Sequence, residues 1–89
     1  MYSSSCNKSI SQVKLYSKTY TGTTDTNGNI TTTLNPSDIA IVSAYKTGGM
    51  VVPFITTDGK WGFRVLTTST AVAVVKSTNV VITYYYHTV

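Results

Sequence analysis

A chain of 89 residues holds one domain with no second core, and at this size folding buries only about 60–65 % of the unfolded surface. Charged residues are 11 % of it, against about 25 % in ordinary soluble domains, while Thr and Ser supply roughly 30 %; the 42 % apolar content excludes disorder, and the wealth of Thr, Val and Tyr favours pleated strands. The net charge of +4 is spread over Lys8, Lys14, Lys18, Lys46, Lys60, Arg64 and Lys76, so no polybasic surface for nucleic acid or lipid is signalled.

Residues 1–11 are Ser-rich and read as a flexible arm or the stump of a longer chain, ahead of one domain over 12–89. From Val13 the pattern alternates. Val13, Leu15, Ser17 and Thr19 take one side, and Lys14, Tyr16, Lys18 and Tyr20 the other, which is the period of a strand. Asn27-Gly28 supplies the positive φ angles of a tight hairpin, with Ile30 to Leu34 as the returning strand. Asn35-Pro36-Ser37-Asp38 breaks the sheet. A third strand covers Ile39 to Thr47, and a fourth covers Met50 to Thr57 beyond the Gly48-Gly49 turn. Pro53 assigns that fourth strand to an edge or a bulge, because proline cannot donate to a ladder. Asp58-Gly59 marks another hairpin before Lys60 to Thr67. A sixth strand is expected over Ala71 to Lys76. The last, Val80 to Val89, places Val80, Ile82, Tyr84 and Tyr86 on one face, and Val81, Thr83, Tyr85 and His87 on the other. About seven short strands, mainly antiparallel, predict an all-β fold, a small jelly-roll-like β-sandwich.

Catalytic and metal chemistry are poorly supplied. The acids Asp25, Asp38 and Asp58 each fall in a predicted turn, where aspartate bonds to nearby backbone amides. His87 has no acidic neighbour in sequence to orient its ring, so no enzyme activity is expected. Asp25 to Asn29 resembles the opening of a calcium loop, but the glycine comes one place early and Pro36 stands where a bidentate glutamate belongs. Cys6 is the sole cysteine, which excludes an internal disulfide, and with His87 it makes too few soft ligands for a zinc site. No metal and no cofactor are expected. With those devices gone, oligomerisation is what remains to support so small a core.

Met1 to Ser5 shows no basic start followed by an apolar stretch, so a secretory leader is not expected. Ala71 to Val75, the longest apolar run, is far too short to span a bilayer. Lys14, Tyr16, Lys18 and Tyr20 interleave charge with aromatics, as single-strand nucleic-acid binders do. The other strands add no basic track, and a solvated strand face is the expected reading.

The aromatics carry the binding signal. Trp61 follows Asp58-Gly59-Lys60, and Tyr45 and Lys46 lead into the Gly48-Gly49 turn, so Asp58, Lys60, Trp61, Tyr45 and Lys46 together form the candidate ligand-binding set at the loops. Aromatic faces beside polar side chains suit sugar rings. The competing use of Trp61 and Phe63 is burial in the core. Tyr84 and Tyr86 are the candidate oligomer contacts, since tyrosine is enriched at interfaces.

One run of patterns resembles a known family. It comprises the Asn27-Gly28-Asn29-Ile30 hairpin with its Thr-rich return, Ile39 to Tyr45, Val51-Val52-Pro53-Phe54, Lys60 to Val65, and Val80 to Tyr86. This succession is similar to the C-terminal head domains of phage tail-fibre and baseplate proteins. The resemblance implies a β-sandwich, commonly trimeric, on a virion, adhering outside the host cell to a surface polysaccharide and joined to other fibre segments. It supplies no fixed set of sugar-contacting residues. A purely structural trimerisation module is the alternative, with a single-strand nucleic-acid binder third.

Overall fold

The computed structural model describes residues 14–67 and 73–89, so the expected arm over 1–11 and the start of the expected sixth strand lie outside the described residues. Six strands follow in chain order: β1 (Tyr16–Thr23), β2 (Asn29–Thr31), β3 (Ile39–Tyr45), β4 (Met50–Ile55), β5 (Trp61–Leu66) and β6 (Asn79–Thr88). They form two three-stranded sheets, sheet A in the order β1-β6-β3 and sheet B in the order β2-β5-β4. Every pairing is antiparallel, and no helix occurs among the described residues. The all-β sandwich expected from the alternation is therefore present.

The two central strands, β6 and β5, carry the core. Val80, Ile82 and Tyr84 alternate inward along β6, and Phe63 and Val65 inward along β5. Ile30, Ile41 and Val51 from the outer strands complete the set. Phe63, Val65 and Ile82 are 0 % exposed. Tyr20 and Tyr84 set their rings against Phe63 at 6.1 Å and 5.7 Å between centroids, so tyrosines fill volume that leucines fill in larger domains. Of the Lys14–Tyr20 side of β1 only Tyr20 turns into the core; Lys14, Tyr16 and Lys18 form the exposed strand face expected from the sequence. β2, with three residues, covers only part of that side, and Tyr16 and Lys18 stay exposed beyond that cover.

Two of the three hairpin signals turn the chain without pairing its flanks. At Asn27-Gly28 the turn closes through Gly28 N–H to Asp25 O (3.1 Å) and Asp25 N–H to Asn29 O (2.9 Å), but β1 joins sheet A and β2 sheet B. Gly48-Gly49 likewise passes from β3 in sheet A to β4 in sheet B. Asp58-Gly59 alone makes a hairpin between paired strands, β4 and β5, closed by Thr56 N–H to Lys60 O at 2.7 Å. Gly28 serves a second purpose. Besides its positive φ of 78°, a Cβ there would stand 2.6 Å from Val74 Cβ, so the 73–75 segment packs directly over the turn. The expected sixth strand reduces, where described, to a single bridge between Val74 and Leu66.

Pro53 lies on β4, an edge strand of sheet B, as its missing donor requires. In β3 the register slips between Ile41 and Ser43, leaving Val42 as the extra residue, 51 % exposed; such a bulge bends its strand and adds twist.

The core predicts its own weakest point. Phe63→Ala removes the ring on which both tyrosines rest and should cost about 3–5 kcal/mol, much of the total stability of a domain this small. Urea unfolding followed by far-UV circular dichroism is expected to show the variant largely unfolded, and the wild type with a β spectrum.

Candidate functional site

The strands run between two ends. At the proximal end lie the start of β1, the Asn35–Asp38 turn, the Asp58-Gly59 hairpin and the end of β6. These are tied by Val89 N–H to Asp38 O (3.0 Å) and Trp61 N–H to Leu34 O (2.9 Å). At the distal end lie the Asp25–Gly28 turn, the Lys46–Gly49 turn and the Lys76–Thr78 segment, joined through buried Thr24. Its N–H donates to Thr78 O (2.9 Å), and its hydroxyl accepts from Thr78 N–H (3.0 Å).

The expected ligand-binding residues divide between these ends. Asp58, Lys60 and Trp61 are proximal, while Tyr45 and Lys46 are distal, separated by the six-residue β4, about 20 Å at ~3.3 Å per residue. The proximal three are engaged within the fold. Trp61 is half-buried against the core, and its indole N–H donates to Ile39 O at 3.1 Å, linking sheet B to sheet A. Of its two expected uses, packing is the one the structure displays. The Lys60 ammonium donates to Asn35 Oδ1. Asp58 accepts the Thr56 hydroxyl, which, with Lys60 nearby as a smaller influence, holds its carboxyl below the ordinary range.

Asp25 and Asp38 are also turn residues. Asp25 Oδ1 accepts the N–H groups of Asn27 (2.8 Å) and Asn29 (3.0 Å), and these bonds lower its pKa, Asn29 first. Asp38 accepts from the Asn35 amide at 3.4 Å. The residues compared with a calcium loop therefore form a turn whose carboxylate is given to backbone amides.

Tyr84 and Tyr86 separate as well. Tyr84 is 4 % exposed, within the protomer's own core, and its expected use as an oligomer contact is corrected: its position on the inward side of the central strand commits it to Phe63 and Tyr86. Burial, then the neighbouring Tyr86 and Tyr20, raises its pKa above that of free tyrosine. Tyr86 is half-buried, its ring tilted against that of exposed Tyr16 at 5.6 Å between centroids, with the Lys14 ammonium over the Tyr16 ring.

The distal residues open onto a surface. Tyr45, Lys46, Thr47, Asn79, Val81 and Thr83 line a groove of about 340 Å³ on the outer side of sheet A. Tyr45 is 50 % exposed and Tyr85 beside it 37 %. Their rings are 17° from parallel with centroids 6.3 Å apart, an offset pair that forms a flat apolar platform. Lys46 donates to Thr47 O at 3.1 Å and folds over the Gly49 turn. Along this face β1 and β6 pair Thr19 with Thr83 and Thr21 with Val81, so it is hydroxyl-rich with the lysine only at its distal rim. Sequence reasoning missed Asn79, Val81, Thr83 and Tyr85. The signal for the last three was the alternation itself: once Val80, Ile82 and Tyr84 are assigned inward, they must face out.

Comparison of the chain with protein-family models, with curated proteins and with solved structures finds no match.

Two expectations follow. Trp61→Phe keeps the packing but leaves Ile39 O without its donor, a loss of about 1 kcal/mol, whereas Trp61→Ala should lose about 3 kcal/mol or more; urea midpoints separate the two. Stability should also fall at both extremes of pH. Lowered carboxyls at Asp25 and Asp58 stabilise the fold above the ordinary carboxylate range and lose that contribution as pH falls below about 4. The raised Tyr84 hydroxyl stabilises it until pH passes about 10, so Tyr84→Phe should flatten the alkaline limb of a Tm–pH profile and leave the acid limb unchanged.

Proposed function

We propose that this domain is a non-enzymatic binding head, of the kind carried at the tips of phage tail fibres and baseplates, that adheres to a host-surface polysaccharide. The observation that carries the proposal is the exposed Tyr45–Tyr85 platform beside a groove edged by Lys46, Asn79 and Thr83. A pyranose presents a flat C–H face that packs on such rings. Around it, the lysine ammonium, the asparagine amide and the threonine hydroxyl offer the donors and acceptors that sugar hydroxyls need. Placement agrees with the proposal, because β1 begins at the proximal end and the groove opens at the distal one. A fibre joined ahead of β1 leaves that groove free to meet a cell.

Assembly into a homotrimer belongs to the same proposal, now with Tyr86 and Tyr16 as its contact. Both lie on the part of sheet A's inward side that β2 leaves uncovered at the proximal end, where a neighbouring copy or fibre segment would complete the cover. That uncovered pair also favours the second reading, a trimerisation module with no ligand of its own.

Host-cell or capsule pull-down decides between them. Tyr45→Ala and Tyr85→Ala are expected to abolish binding while retaining the wild-type spectrum and the mass in solution. Retained binding in both variants removes the groove from consideration. A trimer by light scattering with no glycan partner favours the structural module, and a 9.6 kDa monomer counts against the assembly.

A further inference from the structure

We propose that the outer face of sheet B carries a second, separate site, which seats a carboxylate-bearing sugar of the uronic acid class against Phe54 and Val52, with its carboxylate on Arg64. Asn29, Val52, Phe54 and Arg64 line a groove of about 270 Å³ on that face. Arg64 stands at its centre, on the central strand β5, with Asn29 opposite on one side and Val52 on the other. No acid faces it. The chain's three carboxylates all stand in turns, each held by groups of its own turn. A planar guanidinium left exposed on a sheet without a counter-charge is a fork suited to a carboxylate.

Asn29 supplies the second observation. Its Oδ1 is sealed from solvent and has no hydrogen-bond partner among the described residues, an uncommon state for a native side chain. The NH₂ that remains to the amide is a donor beside the Arg64 fork, and an anion that accepts at two oxygens complements that pair.

Phe54 explains why the anion would be carried on a ring. It pairs with Gly62, and a Cβ on that glycine would come within 2.8 Å of Phe54 Cζ. The missing side chain lets the phenyl ring lie flat across β5, where it forms a low apolar wall continuous with Val52, itself 37 % exposed. Inorganic phosphate has nothing to place on such a wall, and a flexible acidic peptide has no rigid face to match it. A hexuronic acid presents a flat C–H face with the carboxylate at its rim.

The site is independent of the tyrosine groove, which lies on the opposite sheet, so either can fail alone. Calorimetric titration with a tetrasaccharide of galacturonic acid, and with the same tetrasaccharide carboxyl-reduced to neutral galactose, tests it. Wild type should bind the acidic form at least tenfold more tightly, with affinity falling as salt is raised. Arg64→Gln should remove that preference, Arg64→Lys should keep part of it, and Tyr45→Ala should leave it intact. Arg64 is exposed, so both substitutions are expected to preserve the fold, and Arg64→Lys carries the test should Arg64→Gln unfold. Equal binding of the two tetrasaccharides, no binding of either, an unchanged preference in Arg64→Gln, its loss in Tyr45→Ala, or equally tight binding of poly-glutamate would each overturn the site.

Discussion

The packing of β5 on β6 is the constraint from which the rest of the molecule follows. Each is the central strand of its sheet, and their inward residues (Phe63 and Val65 on one, Val80, Ile82 and Tyr84 on the other) are closed to solvent. All the other strands attach to this pair. With so few buried side chains, several of them valines, the remaining volume falls to aromatics that enter from β1 and β6 and to Trp61 at the core's edge. The same thinness places weight on polar ties at the two ends. Thr24 is 2 % exposed and Thr32 7 %; the first joins the β1–β2 turn to the Thr78 segment, and the second donates its hydroxyl to Trp61 O at 2.7 Å. Buried hydroxyls are tolerated only when paired, and these two are paired within their own sheets at the points where the chain leaves β1 and β2.

That change of sheet is what local sequence could not show. A glycine at positive φ announces that the chain reverses, and Gly28, Gly48 and Gly59 all adopt such angles. Whether the two flanks then pair depends on which strands compete for their edges. At Asp58-Gly59 the flanks win, and β4 lies on β5. At Asn27-Gly28 the preceding strand is claimed by β6 over eight residue pairs, Tyr16↔Tyr86 through Thr23↔Asn79, and β2 is left to β5. The competitor is more than fifty positions away in the chain, and no window around the turn contains it. Alternation, by contrast, is a property of the strand itself. The inward set of β6 was therefore legible, as was the edge position of Pro53, whose missing N–H is a local fact.

The candidate sites divide along the same line. Tyr45 and Lys46 were legible as an aromatic and a cation leading into a glycine turn. Their neighbours Asn79 and Val81 come from the start of β6 and reach the groove only through the β3–β6 pairing, where Tyr45 meets Thr83. Asp58, Lys60 and Trp61 carry the same sequence signal as Tyr45 and Lys46, yet Asn35, Thr56 and Ile39 have taken their polar groups. A side chain's chemistry is visible in sequence, but whether the fold has already used it is not. The three tyrosines in a row show how narrow the margin is: Tyr84 and Tyr85 are adjacent, and one residue of register decides which is core and which is surface.

Scarcity of charge gives the outer faces their meaning. In a chain with 25 % charged residues, an unpaired arginine on a strand is unremarkable, because acids and bases alternate over the whole surface. Here hydroxyls do the work of solvation, the acids are confined to turns, and sheet A's outer face between Thr19, Thr83 and Tyr85 is neutral. Against that background a single guanidinium stands out in the middle of sheet B, beside a phenyl ring laid over a glycine. It does not stabilise the fold through an ion pair, since its strand neighbours are an asparagine and a valine. The use we propose for such a group is contact with something outside the chain, whose chemistry the groove's donors and apolar wall would restrict far more than net charge does.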